Sequence, residues 1–158
     1  MYKRQGLERA ELRFAANPGE PERGLARVAS GGELSRVLLA LTVVLADRRE
    51  RTALVFDEID AGIGGATADA VGARLARLAE TAQVVCVTHL AQIASHGDAH
   101  LALRKRASKS ATTIEAVALE PGARQAEIAR MLSGGEGLLA LEHAGELIST
   151  ARSRAGAS

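Results

Sequence analysis

Apolar residues recur along the chain with two different spacings. Between residues 34 and 45 they recur every three or four positions, which places them on one face of an α-helix. Ser30 followed by Glu33 forms the capping box typical of a helix start. Residues 52–56 and 83–87 are short, continuous apolar runs, which are typical of strands buried on both faces. The pattern therefore predicts alternating helices and strands.

A second helix is predicted between these two strands, because Val71, Leu75 and Leu78 share helical spacing. A strand, a helix and a strand in this order form a βαβ unit, whose strands lie parallel with a right-handed crossover. Weaker patterns predict the remaining elements: a half-buried strand at residues 11–15, a loop to about residue 29, a hairpin of residues 99–106 and 112–119 with its turn at 107–111, and helices at 123–132 and 138–151.

The composition limits the classes of protein that fit this pattern. Of 158 residues, 47% are hydrophobic and 25% are charged, and the net charge is +1, which is typical of a globular domain and not of a polybasic nucleic-acid arm. Aromatic residues make up only 2%, which excludes a surface that binds single-stranded nucleic acid by stacking its bases on aromatic side chains. We find no membrane span and no secretory signal in the sequence. The single cysteine, Cys86, cannot form an internal disulfide, so we expect a reducing cytoplasm.

Three groups of polar residues lie where predicted elements begin or end. Asp57 and Glu58 follow the first buried strand, and paired carboxylates at that edge of a parallel sheet can help hold Mg²⁺ and polarise an attacking water. Gly31 and Gly32 open the first helix, where backbone N–H groups and the helix dipole favour a phosphate. His89 follows the second strand, at the same edge as Asp57, and can donate to a phosphate oxygen.

Each group also has a purely structural explanation. The carboxylates can end a strand and cap a loop, the glycines can be permissive residues at a helix start, and the histidine can be satisfied by its neighbours. Their order along the chain favours chemistry: Ser-Gly-Gly-Glu, an apolar helix, paired carboxylates, a Gly-rich loop beginning with Asp60, a helix, and a strand ending in His89. This succession resembles the signature, Walker B, D-loop and H-loop of ABC-type ATPases.

Longer stretches resemble the RecN family of SMC-like bacterial DNA-repair proteins. They are residues 17–19, 28–36, 55–65, 85–94 and 127–132. The resemblance implies an α/β fold, namely the C-terminal half of an ABC/SMC-type P-loop ATPase head with a mostly parallel sheet flanked by helices. In this family the Walker A loop lies in the N-terminal half, beyond a long coiled coil, and this sequence contains no Gly-x-x-x-x-Gly-Lys-Ser/Thr motif.

The resemblance also implies a division of the chain and a set of roles. We expect residues 1–9 to be a remnant of coil or linker, residues 10–151 the half-head, and residues 152–158 a frayed tail. ATP and Mg²⁺ are the implied cofactors, with Asp57 supporting the metal and with Glu58 and His89 acting at the γ-phosphate. The residues implied in ATP binding are Ser30, Gly31, Gly32, Glu33 and Asp60. The first three would cap ATP held by the opposite head, and Asp60 would begin the loop that senses the partner.

The implied activity is ATP hydrolysis by the assembled head, with the isolated chain inactive, in double-strand break repair and recombination. The implied partners are the N-terminal half of the same protein, a second head in an ATP-sandwiched homodimer, and DNA through the full-length protein. The implied location is the bacterial cytoplasm at the nucleoid, without a membrane. Arg104, Lys105 and Arg106 could touch DNA phosphates, although a solvated hairpin tip is the favoured explanation for them.

Residues 132–136, Leu-Ser-Gly-Gly-Glu, match the ABC signature more literally than residues 29–33 do. No strand with paired carboxylates follows them, so we predict a junction between two helices. Two other functions stay open: a half-head of another SMC-like or ABC-type ATPase, and a non-catalytic interaction module. The presence of Glu58 and His89 argues against the second.

Overall fold

The computed structural model describes residues 11–15, 19–24, 31–45, 53–107, 112–135 and 137–155. In chain order the elements are β1 (Arg13–Phe14), β2 (Arg23–Gly24), α1 (Gly31–Leu45), β3 (Ala53–Phe56), α2 (Gly65–Ala79), β4 (Gln83–Cys86), α3 (Ala91–Ala94), β5 (Leu101–Ala107), β6 (Thr112–Ala118), α4 (Pro121–Ser133) and α5 (Leu138–Ala155). The strands form three two-stranded sheets, of which β3–β4 is parallel and the other two are antiparallel. The fold is α/β, as expected, with one parallel pair among the described strands.

The predicted βαβ unit is present and forms the main core. β3 pairs with β4 from Ala53 opposite Gln83 to Phe56 opposite Cys86, and α2 connects them. One face of this pair packs against α1 and α2. The buried residues of the cluster are Leu39, Phe56, Ile59, Ala68, Val71, Leu75, Leu78 and Ile93. Helical spacing therefore identified the buried face of α2 correctly.

The opposite face of the β3–β4 pair is open. Val55, Val85 and Val87 are 67%, 45% and 48% exposed, although the continuous apolar runs predicted burial on both faces. That prediction is wrong for the described chain, because α1 and α2 pack on the other face. Apolar residues on both faces are typical of a parallel sheet covered on two sides.

A second, smaller core joins α3, α4 and α5. Ala91, Ile128, Ala129 and Ala144 are its buried members. Arg124 of α4 is buried and donates hydrogen bonds to carbonyl oxygens of the segment that follows α3, at 3.0 Å to Ser95 and 2.5 Å to Gly97. The sequence pattern missed α3 and β2, because elements of four and two residues are too short to show a period.

The last helix extends further than the sequence suggested. α5 continues to Ala155, four residues into the stretch expected to fray, and Arg154 forms an ion pair with Asp69 of α2. This contact ties the end of the helix to the core. Residues 1–9, the expected coil remnant, lie outside the described residues. None of the described helices is long and apolar enough to cross a membrane.

Candidate functional site

The carboxyl edge of the β3–β4 pair brings the predicted catalytic residues together. β3 ends at Phe56, so Asp57 and Glu58 follow at its carboxyl end, and both are exposed. The N–H of Val87 donates to the carbonyl oxygen of Phe56 at 2.9 Å. This bond continues the parallel register by one residue, so His89 emerges at the same edge as the carboxylates, as predicted.

Glu58 has an unusual backbone conformation. Its φ is +55°, the one positive value among the described residues that are not glycine. Such a left-handed conformation costs an L-residue about 1–2 kcal/mol and is concentrated at functional sites. The turn is held on both sides: the N–H of Glu58 donates to Oδ1 of Asp57 at 2.9 Å, and its carbonyl oxygen accepts from the N–H of Ala61 at 3.1 Å.

The two glycines that begin α1 lie directly against this turn. A Cβ at Gly32 would lie 2.7 Å from Cβ of Ala61 and 2.8 Å from the carbonyl oxygen of Glu58. A Cβ at Gly31 would lie 2.8 Å from the carboxylate oxygen Oε2 of Glu58. Gly32 therefore needs to be glycine for close approach to the carboxylate turn, whereas at Gly31 the atom in the way is the end of the flexible Glu58 side chain. Glu33 is half-buried in the first turn of α1, and Ser30 lies outside the described residues.

Two further residues of α1 fasten the helix to the same turn. Ser35 donates from its hydroxyl to the carbonyl oxygen of Asp57 at 3.0 Å. Arg36 donates from Nη1 to the carbonyl oxygens of Ile59 at 3.2 Å and Ala61 at 2.8 Å. The local sequence does not distinguish between such a contact and an exposed surface charge for Arg36, and it does not single out Ser35. The signal was available, because positions three and four after Gly32 share its face of the helix.

Asp60 lies inside the chain, where it links the carboxylate turn to the segment after β4. Its Oδ2 accepts hydrogen bonds from the hydroxyl of Thr88 at 2.6 Å and from the backbone N–H of His89 at 2.8 Å. Burial raises the pKa of Asp60, but these hydrogen bonds and the nearby His89 outweigh it and hold the pKa below its ordinary value. The carboxylate is therefore ionised at neutral pH.

One member of the predicted set is suited to Mg²⁺. No group of three or more His, Cys, Asp or Glu side chains that could hold a metal occurs in the described part of the chain. Mg²⁺ is commonly bound by one or two carboxylates together with water and substrate phosphates. The exposed carboxylate of Asp57, at the end of a parallel strand, fits that pattern.

The second Ser-Gly-Gly stretch has a different structure. α4 ends at Ser133, and Gly134 follows with φ +72° and donates its N–H to the carbonyl oxygen of Arg130 at 2.7 Å. This is a glycine C-cap of a helix. The hydroxyl of the preceding Ser133 forms hydrogen bonds to two nearby carbonyl oxygens, those of Ala129 and Gly135. The stretch joins α4 to α5, as predicted for a helix junction.

Comparison with known proteins gives a consistent result at the level of sequence. No family model matches the chain. It is 50% identical over 153 residues to DNA repair protein RecN of Treponema pallidum, covering 96% of this chain and 27% of that protein. It is 52% identical over 143 residues to RecN of Deinococcus radiodurans, covering 90% and 25%, and 48% identical over 148 residues to RecN of Mycobacterium leprae, covering 93% and 25%.

Among solved structures, a chain described under the words "Structural biochemistry of ATP-driven dimerization and DNA stimulated activation of SMC ATPases" matches with a TM-score of 0.45 and 20% identity, over 75% of this chain and 70% of that one. The chain spans about a quarter of the length of the curated relatives it matches. Over nine tenths of its length it nevertheless shares about half of its residues with them. The chain therefore belongs to the RecN family, as a segment equivalent to about a quarter of the proteins that carry this name.

Proposed function

We propose that this chain is the C-terminal ATPase half-head of a RecN-type, SMC-like protein that acts in DNA double-strand break repair and recombination. The observation that carries the proposal is the convergence of Gly31 and Gly32, Asp57 and Glu58, and His89 at one sheet edge. These residues come from three separate stretches of sequence. The relatives' name, DNA repair protein RecN, supports the biological context.

The roles follow from the chemistry of each group. Asp57 holds Mg²⁺, which supplies positive charge to the phosphates when it is bound. Glu58 orients the attacking water and accepts its proton as the bond to the γ-phosphorus forms, leaving ADP and inorganic phosphate. The N–H groups at the start of α1 bind the γ-phosphate of ATP that is held by a second head.

Contact between Glu58 and Gly31 suggests how the two nucleotide sites of a dimer communicate. Oε2 of Glu58 lies so close to Gly31 that a Cβ there would be 2.8 Å away. The water-activating carboxylate of one site and the phosphate-binding turn of the other are thus neighbours within one chain. A shift of the Glu58 side chain on hydrolysis would therefore displace the turn that binds the opposite nucleotide, and the heads would separate.

The remaining half of the site comes from another segment. The sequence has no loop of the Walker A type to bind the phosphates of its own nucleotide. The open sheet face of Val55, Val85 and Val87 is apolar, as a face is when a second layer covers it. We propose that the N-terminal half of the head covers this face and brings the Walker A loop to the carboxylate edge. The relatives, about four times longer, have the length to supply it.

Steady-state ATP hydrolysis after co-expression tests this proposal. The chain is expressed with the N-terminal head segment of a RecN relative that carries a Walker A loop, and the isolated chain is the control. We expect turnover only in the purified pair. Glu58→Gln in the pair should reduce turnover about a thousandfold, the scale of a lost general base, while ATP binding is retained.

Two outcomes would contradict the proposal. Turnover by the isolated chain would show that the phosphate site is complete without a second segment. A folded pair that carries Glu58→Gln and still hydrolyses ATP at the original rate would remove Glu58 from the catalytic role. A matched control is Glu127→Gln, since Glu127 pairs with Arg130 on the surface of α4, and this change should leave turnover unaffected.

A further inference from the structure

Thr88 lies between the end of β4 and His89, and its hydroxyl takes part in two hydrogen bonds. It donates to Oδ2 of Asp60 at 2.6 Å and accepts from the backbone N–H of Leu90 at 3.1 Å. The backbone N–H of His89 donates to the same Oδ2 at 2.8 Å. Two successive N–H groups, those of His89 and Leu90, are therefore held by Asp60, one directly and the other through Thr88.

The directions of these hydrogen bonds follow from the groups involved. The carboxylate of Asp60 is ionised at neutral pH, and an ionised carboxylate only accepts hydrogen bonds. The single hydroxyl hydrogen of Thr88 therefore goes to Asp60, and the hydroxyl oxygen accepts from the N–H of Leu90. A hydrogen bond to a charged group is stronger than a neutral one, and it polarises the hydroxyl, which strengthens the next bond in the chain.

Asp60 provides a fixed point for this chain of hydrogen bonds. It is 4% exposed, and Arg36 of α1 donates to the carbonyl oxygens of its two neighbours, Ile59 and Ala61. The side chain of His89, by contrast, is 76% exposed. Because most of the His89 ring is open to solvent, its position at the sheet edge depends on how firmly its backbone is held.

We propose that Thr88 is a positioning residue, whose hydroxyl couples the N–H of Leu90 to Asp60 and so sets the backbone position from which His89 reaches the γ-phosphate. The inference rests on the ATPase function proposed above and adds a residue to that site. Thr88 acts through His89 and does not itself touch the nucleotide. Without the hydroxyl, the segment after β4 keeps the direct bond from His89 to Asp60 but loses the bond at Leu90, so the histidine is held less firmly.

Amide hydrogen exchange in the ¹⁵N-labelled 158-residue chain tests this hydrogen-bonded unit without nucleotide. Thr88→Val removes the hydroxyl at nearly constant shape, and Thr88→Ser retains it. We expect the Leu90 N–H to exchange about tenfold faster in Thr88→Val, the scale of one lost hydrogen bond, and at the wild-type rate in Thr88→Ser. An unchanged rate in folded Thr88→Val would overturn the proposal.

Thr81→Val is the matched control for the loss of a threonine hydroxyl. Thr81 lies before the start of β4 and donates to the carbonyl oxygen of Leu78 in α2. Its substitution removes one local hydrogen bond, and the Leu90 N–H should keep its wild-type exchange rate. Equally fast exchange of Leu90 in both valine variants would indicate a general loosening of the fold and would overturn a specific role for Thr88.

Steady-state ATP hydrolysis by the co-expressed pair tests the consequence for the reaction. Thr88→Val should lower kcat about tenfold with little change in KM, because a misplaced His89 weakens transition-state contacts more than ground-state binding. Thr88→Ser and Thr81→Val should retain the wild-type kcat. A wild-type pair without turnover would contradict the proposed function itself. A wild-type pair that hydrolyses ATP, with Thr88→Val at the same kcat, would overturn the role of Thr88 alone.

Discussion

Residues 30–33 and 133–136 have the same four letters, Ser-Gly-Gly-Glu, but the glycines of the first begin a helix and the glycines of the second follow one. Gly31 and Gly32 begin α1, the end at which a helix directs its N–H groups outward, whereas Gly134 and Gly135 follow α4, the end at which a helix directs its carbonyl oxygens outward. The first end attracts phosphate and the second repels it. The helix end, and not the residue types alone, therefore decides whether such a motif can bind an anion.

The surroundings of the glycines differ as much as the helix ends do. Gly32 lies against the backbone of Glu58 and the side chain of Ala61, while nothing lies within 4 Å of a Cβ placed at Gly135. Gly32 is therefore packed against the carboxylate turn. In the second, the hydrogen bonds of Ser133 and Gly134 go to residues of α4 and to Gly135. Paired substitutions in the two stretches should reveal this difference.

The largest contrast is expected for an arginine placed in each serine position. In the co-expressed pair with Glu58→Gln, Ser30→Arg should abolish ATP-dependent dimerisation of heads, because a long cation would occupy the position at which we propose that the opposite nucleotide binds. Ser133→Arg should leave dimerisation intact. Light scattering with and without ATP measures the effect. Dimers that persist with Ser30→Arg would remove residues 30–32 from the proposed head-to-head contact.

Alanine at the second glycine of each stretch should differ in stability. Gly32→Ala forces atoms apart that would otherwise lie under 3 Å from the new Cβ, and such overpacking costs about 1–3 kcal/mol. Gly135→Ala meets no neighbour and should change stability by less than about 0.5 kcal/mol. Urea unfolding of the 158-residue chain gives both values. Equal stability of the two variants would show that α1 is not packed on the carboxylate turn.

An arginine near each stretch should also differ in its contribution to stability. Arg36→Met removes two hydrogen bonds to carbonyl oxygens and should cost about 2 kcal/mol. Arg130→Met removes an exposed ion pair with Glu127 and should cost at most about 0.5 kcal/mol. In the assembled pair, Arg36→Met should also lower kcat more than it raises KM, since it loosens the turn that holds Glu58. A loss confined to KM would place Arg36 in ground-state binding.

The smallest difference is expected at acidic pH. It concerns the stability contributed by two carboxylates whose pKa values are lowered, those of Asp60 and Glu127. Hydrogen bonds to Thr88 and His89 lower the pKa of Asp60 below 3.8 despite its burial, and the hydrogen bond from Arg130 lowers the pKa of Glu127 below 4.5. A carboxylate with a lowered folded pKa stabilises the fold above its ordinary pKa, and this stability is lost as the pH falls through the folded pKa.

Asp60→Asn and Glu127→Gln each remove one of these charges. The difference in free energy of unfolding between the wild type and each variant should therefore become smaller as the pH falls. We expect it to narrow more for Asp60→Asn than for Glu127→Gln, because the Asp60 side chain is 5% exposed and that of Glu127 is 21% exposed. Urea midpoints measured from neutral pH to about pH 3 provide the test. A gap for Asp60→Asn that is independent of pH would mean that its hydrogen bonds do not depend on charge.

Much of the architecture could be predicted from the sequence because it is encoded by local periodicity. Helical spacing identified α1 and α2, and apolar runs identified β3 and β4 in the correct parallel order. The exposure of Val55 could not be predicted in this way. An apolar run shows that a strand is suited to burial on both faces, but whether a second layer is present depends on other parts of the protein.

The candidate site, like the fold, could be predicted from the sequence only in part. Order and spacing along the chain singled out Asp57, Glu58 and His89, since ends of parallel strands converge at one edge. Local sequence could not show that the carboxylate of Asp60 accepts a hydrogen bond from the backbone N–H of His89, or that Arg36 donates one to the carboxylate turn. These contacts join residues 23 to 29 positions apart, and only packing brings them within hydrogen-bond distance.

By itself, the sequence determined the βαβ order, the family and the identity of the carboxylates and the histidine, because these depend on residue type and short-range spacing. The tertiary structure alone decided three things: which Gly-Gly pair lies against the carboxylate turn, which helix residues hold α1 there, and where the carboxylate of Asp60 points. The physical reason is that a hydrogen bond or a close glycine contact acts over about 3 Å. Such contacts are fixed only when distant segments pack in one register.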